Sequence, residues 1–162
     1  MNRQQVYWEE VEPGDELVPL PKIADSVTVV KWAAAIGAHN PLMYEDAFAR
    51  SQGLQRPLMH GQLKLAWLVH FVTRWMGMQG RLKRISCEYR GIDYPRRMKT
   101  MNEPEDGETW LCKGKVTAKY VNGLEHLVEL ELAVENGSGK ITAPGKALVS
   151  LPSRAKQQTR DV

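Results

Sequence analysis

The apolar positions change rhythm halfway along the chain. Up to about residue 76 they follow helical spacing, and from about residue 84 they alternate. The clearest helical stretch is "GQLKLAWLVHFVTRWMG", which opens at Gly61 and runs to about Met76. Leu63, Leu65, Ala66, Trp67, Leu68, Val69, Phe71, Val72, Trp75 and Met76 cover nearly its whole circumference. A helix apolar on all sides is a buried one, so something must wrap it. Two shorter helices precede it. Ser26 or Thr28 caps the first, over residues 29–36, and Gly37 ends it. "YEDAFARSQG" forms the second and stops at Gly53. "HNPLM" between them is a turn, since Asn-Pro favours one, and "LQRPLMHG" is a loop. Residues 1–25, rich in Pro, Gly and acids, read as a lead-in with one extended piece near residues 16–20.

The second half supplies the wrapping. "RISCEYRGI" sets Ile85, Cys87 and Tyr89 against Ser86, Glu88 and Arg90. "TWLCKGKVTAKYV" sets Trp110, Cys112, Val116, Ala118 and Tyr120 against Lys113, Lys115, Thr117 and Lys119. "HLVELELAVEN" sets Val128, Leu130, Leu132 and Val134 against Glu129, Glu131 and Glu135, and "KALVSLP" puts Ala147, Val149 and Leu151 on one side. Period-two patterns with one dry face predict an antiparallel sheet of four or five strands, with turns at "VNG" and "NGSG". The long helix must lie in the curve of that sheet, which makes the chain an α+β domain. The expected layout is one domain over residues 1–152 and a polar tail over 153–162.

Composition narrows the function classes. A chain of 162 residues is one domain by size, with 43% apolar and 25% charged residues as in ordinary globular proteins. A balance of 22 basic against 19 acidic residues gives +3, too even to argue for a nucleic-acid partner. The first residues carry no apolar signal segment, and the longest apolar run, within Leu65–Val72, is far too short to span a bilayer, so no membrane role is expected and the cytoplasm is the default. Cys87 and Cys112 lie in strand-like segments and read as two thiols of a reducing compartment; nothing in their spacing supports a disulfide. There is no Cys/His metal spacing, no phosphate-binding glycine loop and no serine nucleophile motif, so no metal and no cofactor are expected.

The segment from Ala34 to Gly61, "AAIGAHNPLMYEDAFARSQGLQRPLMHG", resembles the central motif of the MaoC-like family of (R)-specific enoyl-CoA hydratases and acyl dehydratases. Trp32, Ala33, Gly37, Asn40, Pro41, Leu42, Ala49, Gly53, Pro57, His60 and Gly61 stand in register with it. "VEPGDEL", "RWMGMQGRLKRISCEYRGIDYP" and "LVELELAVENGSGKITAPGKALVSLP" extend the likeness over nearly the whole chain. The resemblance implies a hotdog fold, and water addition across an α,β-unsaturated acyl thioester or its reverse. That chemistry needs two proton-transfer groups on one face of the acyl chain and donors aimed at the thioester oxygen. Gly61 occupies the family's position for a backbone N–H donor at a helix start, where the helix dipole assists it. A glycine there also lets the substrate approach closely.

The departure from the family sits at its centre. Ala38 occupies the family's Asp position and Met43 its His position, and neither side chain carries a proton. His39, one residue beyond the vacated Asp position, is the candidate replacement acid/base; an exposed or turn-stabilising histidine is the plainer reading. By resemblance, Asn40, Met43, Pro57 and His60 fall along the substrate path. Hydrogen bonding is the expected task of His60 in its loop and of Asn40 in its turn. Glu45 and Asp46 read as helix-start carboxylates, and His70 and His126 as structural histidines. Arg81, Lys83, Arg84, Arg90, Arg96, Arg97 and Lys99 form either a rim for CoA phosphates or a solvated face. Two functions follow from the resemblance: a hydratase with a rearranged dyad acting on an acyl-CoA or acyl-carrier thioester of fatty-acid or steroid type, or a non-catalytic acyl-CoA-binding subunit paired with a complete hotdog hydratase. A thioesterase is a weaker third. A homodimer, or a heteromer with another hotdog subunit, is the expected assembly.

Overall fold

The computed structural model describes residues 5–154. Their order is β1 (Glu16–Lys22), α1 (Ser26–Ile36), α2 (Asp46–Ser51), α3 (Gly61–Met76), β2 (Arg81–Cys87), β3 (Trp110–Asn122), β4 (Glu125–Glu135) and β5 (Ile141–Leu151), with short 3-10 turns at Trp8–Glu10 and Pro41–Met43. The five strands make one antiparallel sheet in the order β1-β3-β4-β5-β2. The β3–β4 hairpin turns at Gly123, whose φ of 58° suits a residue without Cβ. Helix α3 touches all five strands.

The core lies between α3 and the sheet. Leu63, Trp67, Leu68, Phe71, Val72 and Met76 meet Trp110, Cys112, Val116, Val128, Leu130, Leu132, Val134 and Val149. Trp67 and Trp110 lie tilted at 45°, with ring centroids 5.7 Å apart. The sheet does not wrap the helix completely, as the apolar circumference had predicted. Leu65, Ala66 and Val69 are half-buried, while Gln62, His70 and Arg74 face out. Position 64 instead belongs to the buried stripe, and Lys64 fills it.

On β3 the alternation holds from Trp110 to Val116 and then inverts. A register shift between Val116 and Ala118 adds one residue against β4. A bulge of this kind turns every later side chain to the other face. Tyr120, expected inside, is exposed. Lys119, expected in water, turns inward: its Nζ donates to the Val11 carbonyl at 2.7 Å and to Glu12 at 2.9 Å, and lies 4.2 Å from the centre of the Trp8 ring. Both thiols are free. Burial pushes the Cys112 thiol up to about 12, which leaves it protonated and inert at neutral pH. Of the expected tail, Ser153 is buried with its hydroxyl donating to Glu9 at 2.5 Å, and residues 155–162 lie outside the described residues. Among the described residues no helix is long and apolar enough to cross a membrane.

Leu68 is fully buried where α3 meets the sheet. Leu68→Ala is expected to lower the unfolding free energy by about 2–5 kcal/mol, read from the shift of the urea midpoint at constant slope.

Candidate functional site

The site grows from two local stops. Asp25 caps α1 by accepting the Thr28 N–H at 2.6 Å, one residue ahead of the caps expected from sequence. Gly37 ends the helix at φ 66°, donating to the Ala34 carbonyl while Ala38 N–H donates to the Ala33 carbonyl. This six-to-one and five-to-two pair needs a left-handed residue, which glycine supplies without strain. The chain then turns at once. Asn40 Oδ1 accepts the Leu42 N–H at 3.1 Å, and the Asn40 carbonyl accepts the Met43 N–H at 2.9 Å. The turn puts His39 out in solvent, whereas Met43 is half-buried against the core.

Two contacts join this turn to the entry of α3. The Leu58 N–H donates to the Leu42 carbonyl at 3.1 Å. His60 is 3% exposed, and its Nε2 stands 3.4 Å from the Ala38 carbonyl; its Nδ1 is buried without a partner. Ala38, His60 and Gly61 therefore come together, Pro57 lies half-buried in the loop that leads to them, and His39 points away. Asp46 is exposed beside Arg50 and Arg97, each at 3.8 Å, and Glu45 is the residue before α2.

Gly61 is the first residue of α3, and no acceptor among the described residues takes its N–H. The Tyr89 ring lies across it: a Cβ at Gly61 would stand 2.6 Å from Tyr89 Cγ. Glycine is therefore required here by close packing. Beside this contact opens a pocket of about 290 Å³, with Leu58, Met59, Gly61 and Lys64 on one wall and Tyr89, Arg90, Gly91 and Ile92 on the other. A larger concavity of about 390 Å³, among Arg84, Thr117, Glu129, Glu131 and Lys146, lies on the exposed face of the sheet and shares no residue with the motif.

Lys64, in the pocket lining, belongs to a buried pair with Asp93 that the motif did not indicate. Lys64 Nζ donates to Asp93 Oδ2 at 2.7 Å, to the Gly91 carbonyl at 2.9 Å and to the Thr142 carbonyl at 3.4 Å. The two side chains are 1% and 0% exposed. Spacing held the signal: positions 64, 68, 71 and 72 share one helix face, so a lysine at 64 must enter the core or break the stripe. Nearby, burial pushes the Cys87 thiol up, while hydrogen bonding with Tyr89 and the charge of Lys64 pull the other way. The basic residues grouped between 81 and 99 separate in the fold. Arg96 is bound to the Gly107 and Glu108 carbonyls and the Thr109 hydroxyl, and Lys83 pairs with Glu125. Arg90 lines the pocket and pairs with Glu88. Among the described residues no group of His, Cys, Asp and Glu is placed to hold a metal ion.

Comparison with solved structures settles the architecture. The chain is similar to an (R)-hydratase from A. caviae involved in PHA biosynthesis, at 21% identity over 89% of this chain and 99% of that chain, with a TM-score of 0.74. It is similar to a MaoC-like dehydratase from Rhodospirillum rubrum, at 14% identity over 92% and 98%, with a TM-score of 0.75. This is a hotdog fold. The hotdog neighbours include the ChsH1-ChsH2 complex from Mycobacterium tuberculosis, at 19% identity over 86% and 98%, with a TM-score of 0.70. No family model and no curated protein matches the sequence. At these identities the likeness carries the hotdog fold, and the chemistry has to be argued from the site.

Gly61→Ala is expected to destabilise the hotdog domain by about 1–3 kcal/mol, the usual cost of overpacking. In a Tyr89→Ala background the same substitution should cost less than half as much, as a double-mutant cycle in denaturant will read.

Proposed function

We propose that this chain binds an acyl thioester, linked to CoA or to a carrier protein, as a MaoC-like hotdog hydratase/dehydratase with an altered dyad. The single observation that carries the reading is the Gly61 amide. It has no acceptor of its own among the described residues, it opens a helix fixed in the core, and its residue lines a pocket with apolar Leu58, Met59 and Ile92. An activated carbonyl oxygen gains charge when water adds to the conjugated double bond or leaves it. A preorganised N–H at a helix start stabilises that charge.

Proton transfer is the weak half of the site. Ala38 and Met43 stand at the vacated dyad positions, and the replacement candidate His39 is exposed and outside the lining of the Gly61 pocket. Hydration by this chain alone is accordingly slow, with orientation and the Gly61 donor supplying what rate there is. A second reading, a binding subunit completed by a dyad-bearing hotdog partner, is favoured by that same exposure of His39 and by the likeness to the two-component ChsH1-ChsH2 complex.

Purified chain with crotonyl-CoA tests both, by calorimetry for binding and by loss of enoyl-thioester absorbance for turnover. Binding is expected, with hydration at least about 10²–10⁴-fold below that of a hydratase with its dyad intact. Loss of the residual turnover in His39→Ala assigns the proton to His39, and binding without turnover assigns the chain to the subunit reading. No binding of crotonyl-CoA or of longer acyl-CoA sinks both.

A further inference from the structure

The Lys64–Asp93 pair is costly in two ways. Taking both charges out of water carries a desolvation penalty that a pair of apolar side chains would avoid. Lys64 also sits in the first turn of α3, where the dipole disfavours a cation. Its three acceptors explain what it holds. Gly91, Asp93 and Thr142 all lie outside α3, and Gly91 lines the same pocket as Gly61. The Met59 N–H donates to the Asp93 carbonyl at 2.9 Å, so the walls are tied again one turn before Lys64. Gly91 packs closely on Thr142, where an added Cβ would stand 2.7 Å from Thr142 Cγ2, and its N–H donates to the Thr142 carbonyl at 3.1 Å. Asp93 Oδ1 is buried without a donor, which leaves Lys64 as the partner that holds the carboxylate in place.

We propose that Lys64 and Asp93 are the positioning pair of the Gly61 pocket. They lock the segment 91–93 against the first turn of α3 and so fix the direction of the Gly61 N–H. The consequence for a docked thioester rests on the acyl-thioester reading above; the locking itself does not. Neither residue is offered as a proton-transfer group.

The test uses the full chain labelled with ¹⁵N-glycine, as wild type, as the charge-free Lys64→Met/Asp93→Leu double variant, and as the isosteric Asp93→Asn. In the ligand-free protein the Gly61 amide resonance is expected to be single in wild type. It should shift or split in the double variant, and shift less in Asp93→Asn, while that of Gly123, on the distant β3–β4 turn, stays in place. A folded double variant with an unmoved Gly61 resonance overturns the proposal. Loss of folding in both variants also overturns it, because the pair then belongs to the core alone. A second measurement adds butyryl-CoA labelled with ¹³C at the thioester carbonyl. The infrared carbonyl band of the bound ligand should move back toward its position in water in the double variant, with affinity weaker by about tenfold, the worth of one hydrogen bond. A wild-type band and affinity in the double variant count against the pair. Failure of wild type to bind butyryl-CoA strikes the acyl-thioester reading only, and the glycine resonances still decide the locking.

Discussion

One stripe of α3 packed against the concave sheet determines where everything else in this protein can be. Leu68 and Val72 are fully buried, and so are Val128, Val134 and Val149 opposite them. Each such side chain is worth about 1.5–3 kcal/mol of burial. Close packing of this kind permits little sliding, because a shift of the helix by a fraction of a turn would open cavities along its length. The course of the helix is set by Leu63, Trp67 and Leu68, downstream of Gly61, and the fine orientation of its first turn is left to local contacts.

The charged pair makes sense against that background. Residues 88–109 between β2 and β3 contain only isolated bridges, such as Asp25 with Arg96 and Met98 with Pro104. Its first residues are tied to β5, with the Glu88 N–H donating to the Pro144 carbonyl and the Arg90 and Gly91 N–H groups to that of Thr142, but no continuous ladder follows. Lys64 reaches from the rigid helix to this less regular wall and binds two of its residues. Breaking such a buried pair by removing one partner costs about 3–5 kcal/mol, since the other charge is left unpaired. The pair therefore adds to the backbone bonds that hold this wall beside the first turn of α3.

The sequence and the structure agree where a single local rule decides. Helix α3 begins and ends where its apolar run does, and Gly37 and Gly53 stop helices because positive φ suits glycine. The expected inner faces of β4 and β5 are the buried ones. Disagreement appears where the deciding term is tertiary. Nothing in "KVTAKY" announces the bulge that turns Lys119 in and Tyr120 out, since its cause is the register against β4. The place of Lys64 on the buried face was readable from its spacing; its partner Asp93, 29 residues away, was not. The exposure of His39 matches the plainer reading of that residue, whereas nothing in the sequence announced that Tyr89 would lie over Gly61.

The packing at residues 38 and 43 bears on the proposed reading. Met43 is half-buried and packs against the core. Ala38 gives its carbonyl to the Asn40 N–H and to His60, so the turn keeps its shape without a carboxylate. One of the buried side-chain nitrogens without a partner among the described residues, His60 Nδ1, belongs to the residue before Gly61. Under the proposed reading, Gly61 offers an amide while Ala38 and Met43 offer no proton, which suits holding a carbonyl rather than moving protons around it. That is the physical reason binding and turnover are expected to separate in this chain.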